Sequence, residues 1–142
     1  MTRDVLARKL DALRRYLDAL RPHRGRSADD IADAPYEVER LLELIVQVAV
    51  DILAHELAER GTTPSSYRDA FVQAGAAGLI PRALALRLSE AAGLRNILVH
   101  LYETIDYEIV AASVGGALDD FQAFLDHYAT RLKEAAGEGT EG

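Results

Sequence analysis

A chain of 142 residues, 49% of them hydrophobic and none of them cysteine, is long enough for one domain with a real core and excludes a disulfide framework or a thiolate metal site. Its formal net charge of −7 argues against a general nucleic-acid binder, whose affinity comes from Lys and Arg neutralising phosphates; any RNA contact must be local. The N-terminus Met1-Thr2-Arg3-Asp4 lacks the apolar core of a signal peptide and no uninterrupted apolar run reaches about 18 residues, so a soluble, cytoplasmic protein without membrane attachment is expected.

From Thr2 to about Leu20, Leu6, Leu10, Leu13, Leu17 and Leu20 recur at spacings of four and three, one apolar seam of a first helix. The stretch Arg21-Pro22-His23-Arg24-Gly25-Arg26 breaks it, and Ser27 caps a short piece from Ala28 to Ala32, with Asp29 and Asp30 in its first turn. The arginines at 14, 15, 21, 24 and 26 read either as a solvated helix end or as a local cationic patch.

Pro35 opens a second long helix, Tyr36 to about Glu59, ended by Gly61. Between Leu41 and Leu57 it is apolar on nearly all sides, and a second copy of the chain is the simplest cover for so much surface, so a homodimer is expected. One polar row crosses it: Glu43, Gln47, Asp51 and His55. This is either a solvent-facing stripe with Asp51 and His55 as an ordinary i,i+4 pair, or electrostatic support for a catalytic cleft. The metal-binding pattern His-Glu-x-x-His is absent, and no metal is expected.

Ser65 or Ser66 caps a third helix through about Ala77, with Tyr67, Phe71 and Ala74 inward, and Gly78 ends it. Pro81 opens a fourth, whose core stripe is Leu84, Leu88, Ala91, Leu94 and Leu98, and whose small residues Ala91, Ala92 and Gly93 permit close backbone approach. Asp106 caps a last helix to about Ala135, weakened or bent at Gly115-Gly116, with Ile109, Val110, Val114, Leu118, Phe121, Phe124, Leu125 and Tyr128 buried. Residues 1–135 form the single domain and 136–142 a flexible tail. No strand period, repeat or glycine-rich phosphate loop is present, and the fold class is all-α, four to five helices.

The chemistry concentrates in Gly93-Leu94-Arg95-Asn96-Ile97-Leu98-Val99-His100-Leu101-Tyr102. On one helix Asn96 and His100 share a face, and Arg95 and Tyr102, seven apart, nearly share another. Histidine exchanges a proton near neutral pH, arginine presents a planar fork matched to phosphate oxygens, and Asn96 can orient the imidazole: a set suited to a phosphodiester. Read as structure alone, Arg95 is a helix-end cation for Glu90, Glu103 or Asp106 and His100 a packed side chain.

Arg95-x4-His100-x-Tyr102, with Asn96 after the arginine, resembles the signature of the HEPN superfamily and its HepT-like (DUF86) branch. Ser66-Tyr67-Arg68-Asp69-Ala70-Phe71, Leu79-Ile80-Pro81, Gly93-Leu94 and Ile105-Asp106 extend the likeness over roughly residues 1–133. The resemblance implies a helical bundle that dimerises with its motifs facing each other, and a metal-independent endoribonuclease that needs no cofactor. Arg95 and His100 would be the catalytic residues, with Asn96 fitting the branch pattern; Asp51 and His55 are expected in support on the functional reading of the polar row alone. The resemblance also implies a toxin paired with a minimal nucleotidyltransferase (MNT) antitoxin that transfers AMP to Tyr102, and an RNA substrate, with tRNA one candidate. The alternative is a non-catalytic nucleotide-binding or scaffolding partner of that nucleotidyltransferase.

Overall fold

The computed structural model describes the backbone of residues 1–100 and 106–141, with side chains except at 35, 94–100 and 136–141. Within them lie six α-helices and no strand: α1 (Arg3–Leu20), α2 (Ala28–Asp33), α3 (Pro35–Glu59), α4 (Tyr67–Ala76), α5 (Arg82–His100) and α6 (Tyr107–Glu141), with a 3-10 turn at Arg21–His23. The sequence reading placed the starts of these helices to within a few residues, and at three of them the cap is local chemistry. Thr2, Ser27 and Ser66 each accept a hydrogen bond from the backbone N–H three residues on, at 3.3, 3.2 and 3.0 Å. At the C-terminal ends of α3 and α4, Gly61 and Gly78 take φ +78° and +74°, and the N–H of the following residue reaches back to Leu57 and Ala74. That closure requires a left-handed residue, which glycine supplies without a Cβ penalty.

The α4 cap is reciprocal. Asp69 accepts from the backbone N–H and the hydroxyl of Ser65, at 2.9 and 3.2 Å, and from Gln73. These donors, the Ser65 N–H foremost, hold its carboxyl below the ordinary value of 3.8. A carboxylate whose folded pKa lies below its unfolded one stabilises fully above the unfolded value and loses that contribution as pH falls through the folded one. The Tm gap between wild type and Asp69→Ala should therefore narrow as pH falls from about 5 to about 3, a trend that thermal melts can follow. A gap that widened would show that the charge is not what the cap uses.

Helix α3 is the central rod. Leu41, Leu42, Ile45, Val46, Ala49, Val50, Ile52, Leu53 and Leu57 are all buried within the one chain, because α1, α4, α5, α6 and α2 pack around them. Leu44, Val48 and Ala54 of the same apolar run are only half-buried, so one chain covers most of this helix but not all of it. Two neighbours approach closely at Gly75, where an added Cβ would lie 2.6 Å from that of Ala85; at Gly93, the expected place, it would meet nothing within 4 Å.

The last helix continues through Gly115-Gly116, where weakening or a bend was expected. Extending an existing helix needs no new nucleus, so scattered glycines are tolerated at roughly 1 kcal/mol each. The helix departs from expectation in two respects: its backbone stays helical to Glu141 where a tail was expected from 136, and Ile109 is 46% exposed and outside the core stripe that begins at Val110.

Near the end of that stripe the buried Tyr128 hydroxyl donates to Glu56 at 2.9 Å, and Arg131 pairs with Glu56 at 3.0 Å while covering the Tyr128 ring. Burial, before the nearby carboxylate, pushes the phenol well above its ordinary pKa. Glu56→Ala should cost about 1–3 kcal/mol in urea denaturation, because it strands a buried hydroxyl. Tyr128→Phe, which leaves the Glu56–Arg131 pair intact, should cost less.

Candidate active site

The end of the bundle that carries the motif is set by an antiparallel α5–α6 hairpin. Arg87 Nε donates to Asp120 Oδ1 at 2.8 Å, and these residues stand thirteen positions before His100 and thirteen after Tyr107. The two arms are thus equally long, about 20 Å, and residues 101–105 join them at one end. Asp106 caps α6, its Oδ1 accepting from the Glu108 N–H at 3.0 Å. Tyr107 then donates its hydroxyl to Glu39 Oε1 at 3.1 Å, tying this end of the hairpin to the first turns of α3. Partial burial, then the Glu39 bond and charge and the nearby Tyr36, raise the Tyr107 pKa.

Helix α5 is continuous from Arg82 through His100. Positions 95, 96 and 100 are therefore on one rod, and 96 and 100 stand one turn apart on one face, as the spacing predicted. The side chains of Arg95, Asn96 and His100, and all of Tyr102, lie outside the described residues. So do Leu94 and Leu98 of the expected core stripe; Leu84 and Leu88 are buried and Ala91 half-buried.

Below the motif a cleft opens between α3, α5 and α6. Its floor is Leu42, Val46, Ala91, Ala117 and Phe121, and the Arg87–Asp120 pair stands at its edge. Gln47 and Asp51 line a different, shallow cleft with Tyr16 and Tyr67, on the opposite side of α3 from Leu42 and Val46. Asp51 pairs with Lys9 of α1, and the His55 Nε2 is 4.0 Å from Asp51 Oδ1. Twelve residues of α3, about 18 Å, separate Asp51 from Glu39, which exceeds the screening length of roughly 8–10 Å at ordinary ionic strength. Asp51 and His55 therefore lie well along α3 from the Tyr107–Glu39 contact, and the motif side chains they were expected to support lie outside the described residues. Glu43, in the same row, pairs with Arg40 at 3.4 Å.

The arginine cluster is largely engaged by its own chain. Arg15 pairs with Asp11, Arg21 with Asp18 and Gln122, Arg24 with Asp119 at 2.7 Å, and Arg26 lies 3.2 Å from the ring of buried His23. The Arg21–Gln122 and Arg24–Asp119 contacts fasten the turn after α1 onto α6. Tyr107, Glu39 and Tyr36 were not singled out from the sequence, because their meeting across 68 residues leaves no local pattern. Among the described residues no three His, Asp or Glu side chains converge to hold a metal, and no helix is long and apolar enough to cross a membrane.

A family model described as Ribonuclease HepT-like matches residues 6–128. The tRNA nuclease HepT of Aphanizomenon flos-aquae (strain 2012/KM1/D3) is 31% identical over 92% of this chain and 93% of its own. The mRNA nuclease HepT of Shewanella oneidensis is 28% identical over 87% and 95%. Among solved structures, the tri-AMPylated Shewanella oneidensis HEPN toxin in complex with MNT antitoxin superposes with a TM-score of 0.78 at 26% identity, covering 92% of this chain and 99% of that one. A toxin–antitoxin structure with AMP-PNP gives 0.75 at 25% identity, over 89% and 98%.

Proposed function

Because the chain belongs to the HepT-like ribonuclease family, we propose that it is the toxin of a toxin–antitoxin pair, an endoribonuclease that cuts RNA without a metal. The observation that carries this reading is the placement of Arg95, Asn96 and His100 on the single uninterrupted helix α5, inside the stretch matched by the family model. In the reaction a ribose 2′-oxygen attacks the adjacent phosphorus, the bond to the 5′-oxygen breaks, and a cyclic phosphate and a free 5′-hydroxyl result. His100 takes the 2′-hydroxyl proton and Arg95 stabilises the charge growing on the phosphoryl oxygens. A homodimer with facing motifs brings a second His100 to protonate the leaving oxygen. The expectation of a dimer rests on the family likeness, on this need for an acid, and on the half-buried Leu44, Val48 and Ala54 of α3.

The proposed partner is a minimal nucleotidyltransferase, in keeping with the relatives solved in complex with MNT antitoxin. The Tyr102 oxygen attacks the α-phosphorus of ATP, pyrophosphate leaves, and the attached AMP sets bulk and negative charge where the RNA phosphate must sit. Tyr102 follows His100 by two residues, so the modification falls at the site it controls.

The test is RNA cleavage by the purified chain and by His100→Ala, each with and without a chelator. Equal activity in the two proteins removes the nuclease reading, and loss on chelation removes the metal-free mechanism. Growth arrest on expression of the wild type alone, relieved by His100→Ala, distinguishes a nuclease from a passive nucleotide-binding partner of the same antitoxin.

A further inference from the structure

The first turns of α3 stand beside the motif end of the hairpin, and they carry the most exposed large hydrophobic side chain among the described residues: Tyr36, 83% exposed. Four residues on, and so on the same face, is Arg40, also solvent-exposed. The carboxylates around them are partly occupied. Glu37 Oε1 lies 3.5 Å from Nε2 of buried His23, Glu39 accepts from Tyr107, and Glu43 pairs with Arg40 itself. An aromatic ring and a guanidinium one turn apart are what a single strand of nucleic acid uses: a π-face for a base and a cation for the next phosphate. In a chain of net charge −7 such a contact has to be local, and Arg40, which pairs with Glu43 as Arg15 and Arg21 pair with their own aspartates, would exchange that exposed partner for the phosphate.

We infer that Tyr36 and Arg40 form a substrate subsite on α3, in which Tyr36 stacks on an unpaired base of the RNA and Arg40 meets the adjoining phosphate, holding the strand across the end of α5. This rests on the nuclease reading above and adds to it a preference for single-stranded RNA. The reach is short, because Tyr36 stands one turn before Glu39, and Glu39 is bonded to Tyr107, the residue that starts the second arm of the hairpin.

The experiment measures binding of a fluorescein-labelled single-stranded RNA oligonucleotide to the His100→Ala chain, alone and combined with Tyr36→Ala, Tyr36→Phe or Arg40→Gln, alongside the mass of each variant by light scattering. Tyr36→Ala is expected to raise Kd about ten-fold, the usual scale of one lost base stack, with Tyr36→Phe within about two-fold of the parent. Arg40→Gln should weaken binding and flatten the salt dependence by about 0.7 in log–log slope. An oligonucleotide with an abasic position should lose affinity for the parent but not for Tyr36→Ala. The proposal is overturned by an unchanged Kd for Tyr36→Ala, by Tyr36→Phe as damaging as alanine, or by a changed mass for Tyr36→Ala, which would assign the ring to a contact between copies. Cleavage by the wild type, run in parallel, separates the two ideas: no cleavage removes the nuclease reading, whereas the Kd comparison judges the subsite.

Discussion

Replacing His100 by alanine is expected to lower kcat for RNA cleavage by about 10²- to 10⁴-fold, the range lost when a positioned acid or base is removed. Arg95→Ala should cost about 10²- to 10³-fold, the scale of one missing donor to an oxyanion. Arg95→Lys should recover little of it, since an ammonium is a point charge and cannot present two parallel donors to a phosphoryl group. The two losses should not add, because both groups act on one transition state. Single-turnover cleavage of a short RNA reads these effects, and a wild-type circular dichroism spectrum for each variant separates lost chemistry from lost fold. Full activity in Arg95→Ala would leave the growing phosphoryl charge without its assigned donor and would end the proposed mechanism.

Phe121→Ala is expected to remove about 3–5 kcal/mol of stability, as truncating a fully buried aromatic ring generally does. Phe121 is 0% exposed, packs edge-on against Phe71 with ring centroids 6.2 Å apart, and floors the cleft where α3, α5 and α6 meet. Against a total stability of roughly 5–15 kcal/mol the change is severe. It also falls where α5 is supported, next in sequence to Asp120 of the Arg87–Asp120 pair that sets the hairpin. Urea denaturation should show the midpoint shifted with little change in slope. A loss below about 1 kcal/mol would mean that the neighbours collapse into the gap and that the hairpin is held elsewhere.

The residue order alone placed, to within a residue or so, the helix starts that carry a Ser, Thr or Asp cap and the ends of α3 and α4 at Gly61 and Gly78, because a cap is a contact between residues two to five apart. The likeness to HepT-like proteins was legible for a related reason: Arg95, Asn96, His100 and Tyr102 lie within eight consecutive positions. Only the tertiary structure decided what surrounds α3. Its all-round apolar sequence is equally consistent with a helix wrapped by its own chain and with one waiting for a partner, and five neighbouring helices cover most of it while Leu44, Val48 and Ala54 stay half-buried. The same holds for Asp51, which Lys9 of α1 engages across 42 residues, and for Tyr107 and Glu39, which meet across 68 to anchor the motif end of the hairpin. Contacts between distant residues depend on how helices cross, and crossing follows from complementary side-chain surfaces that no single segment contains.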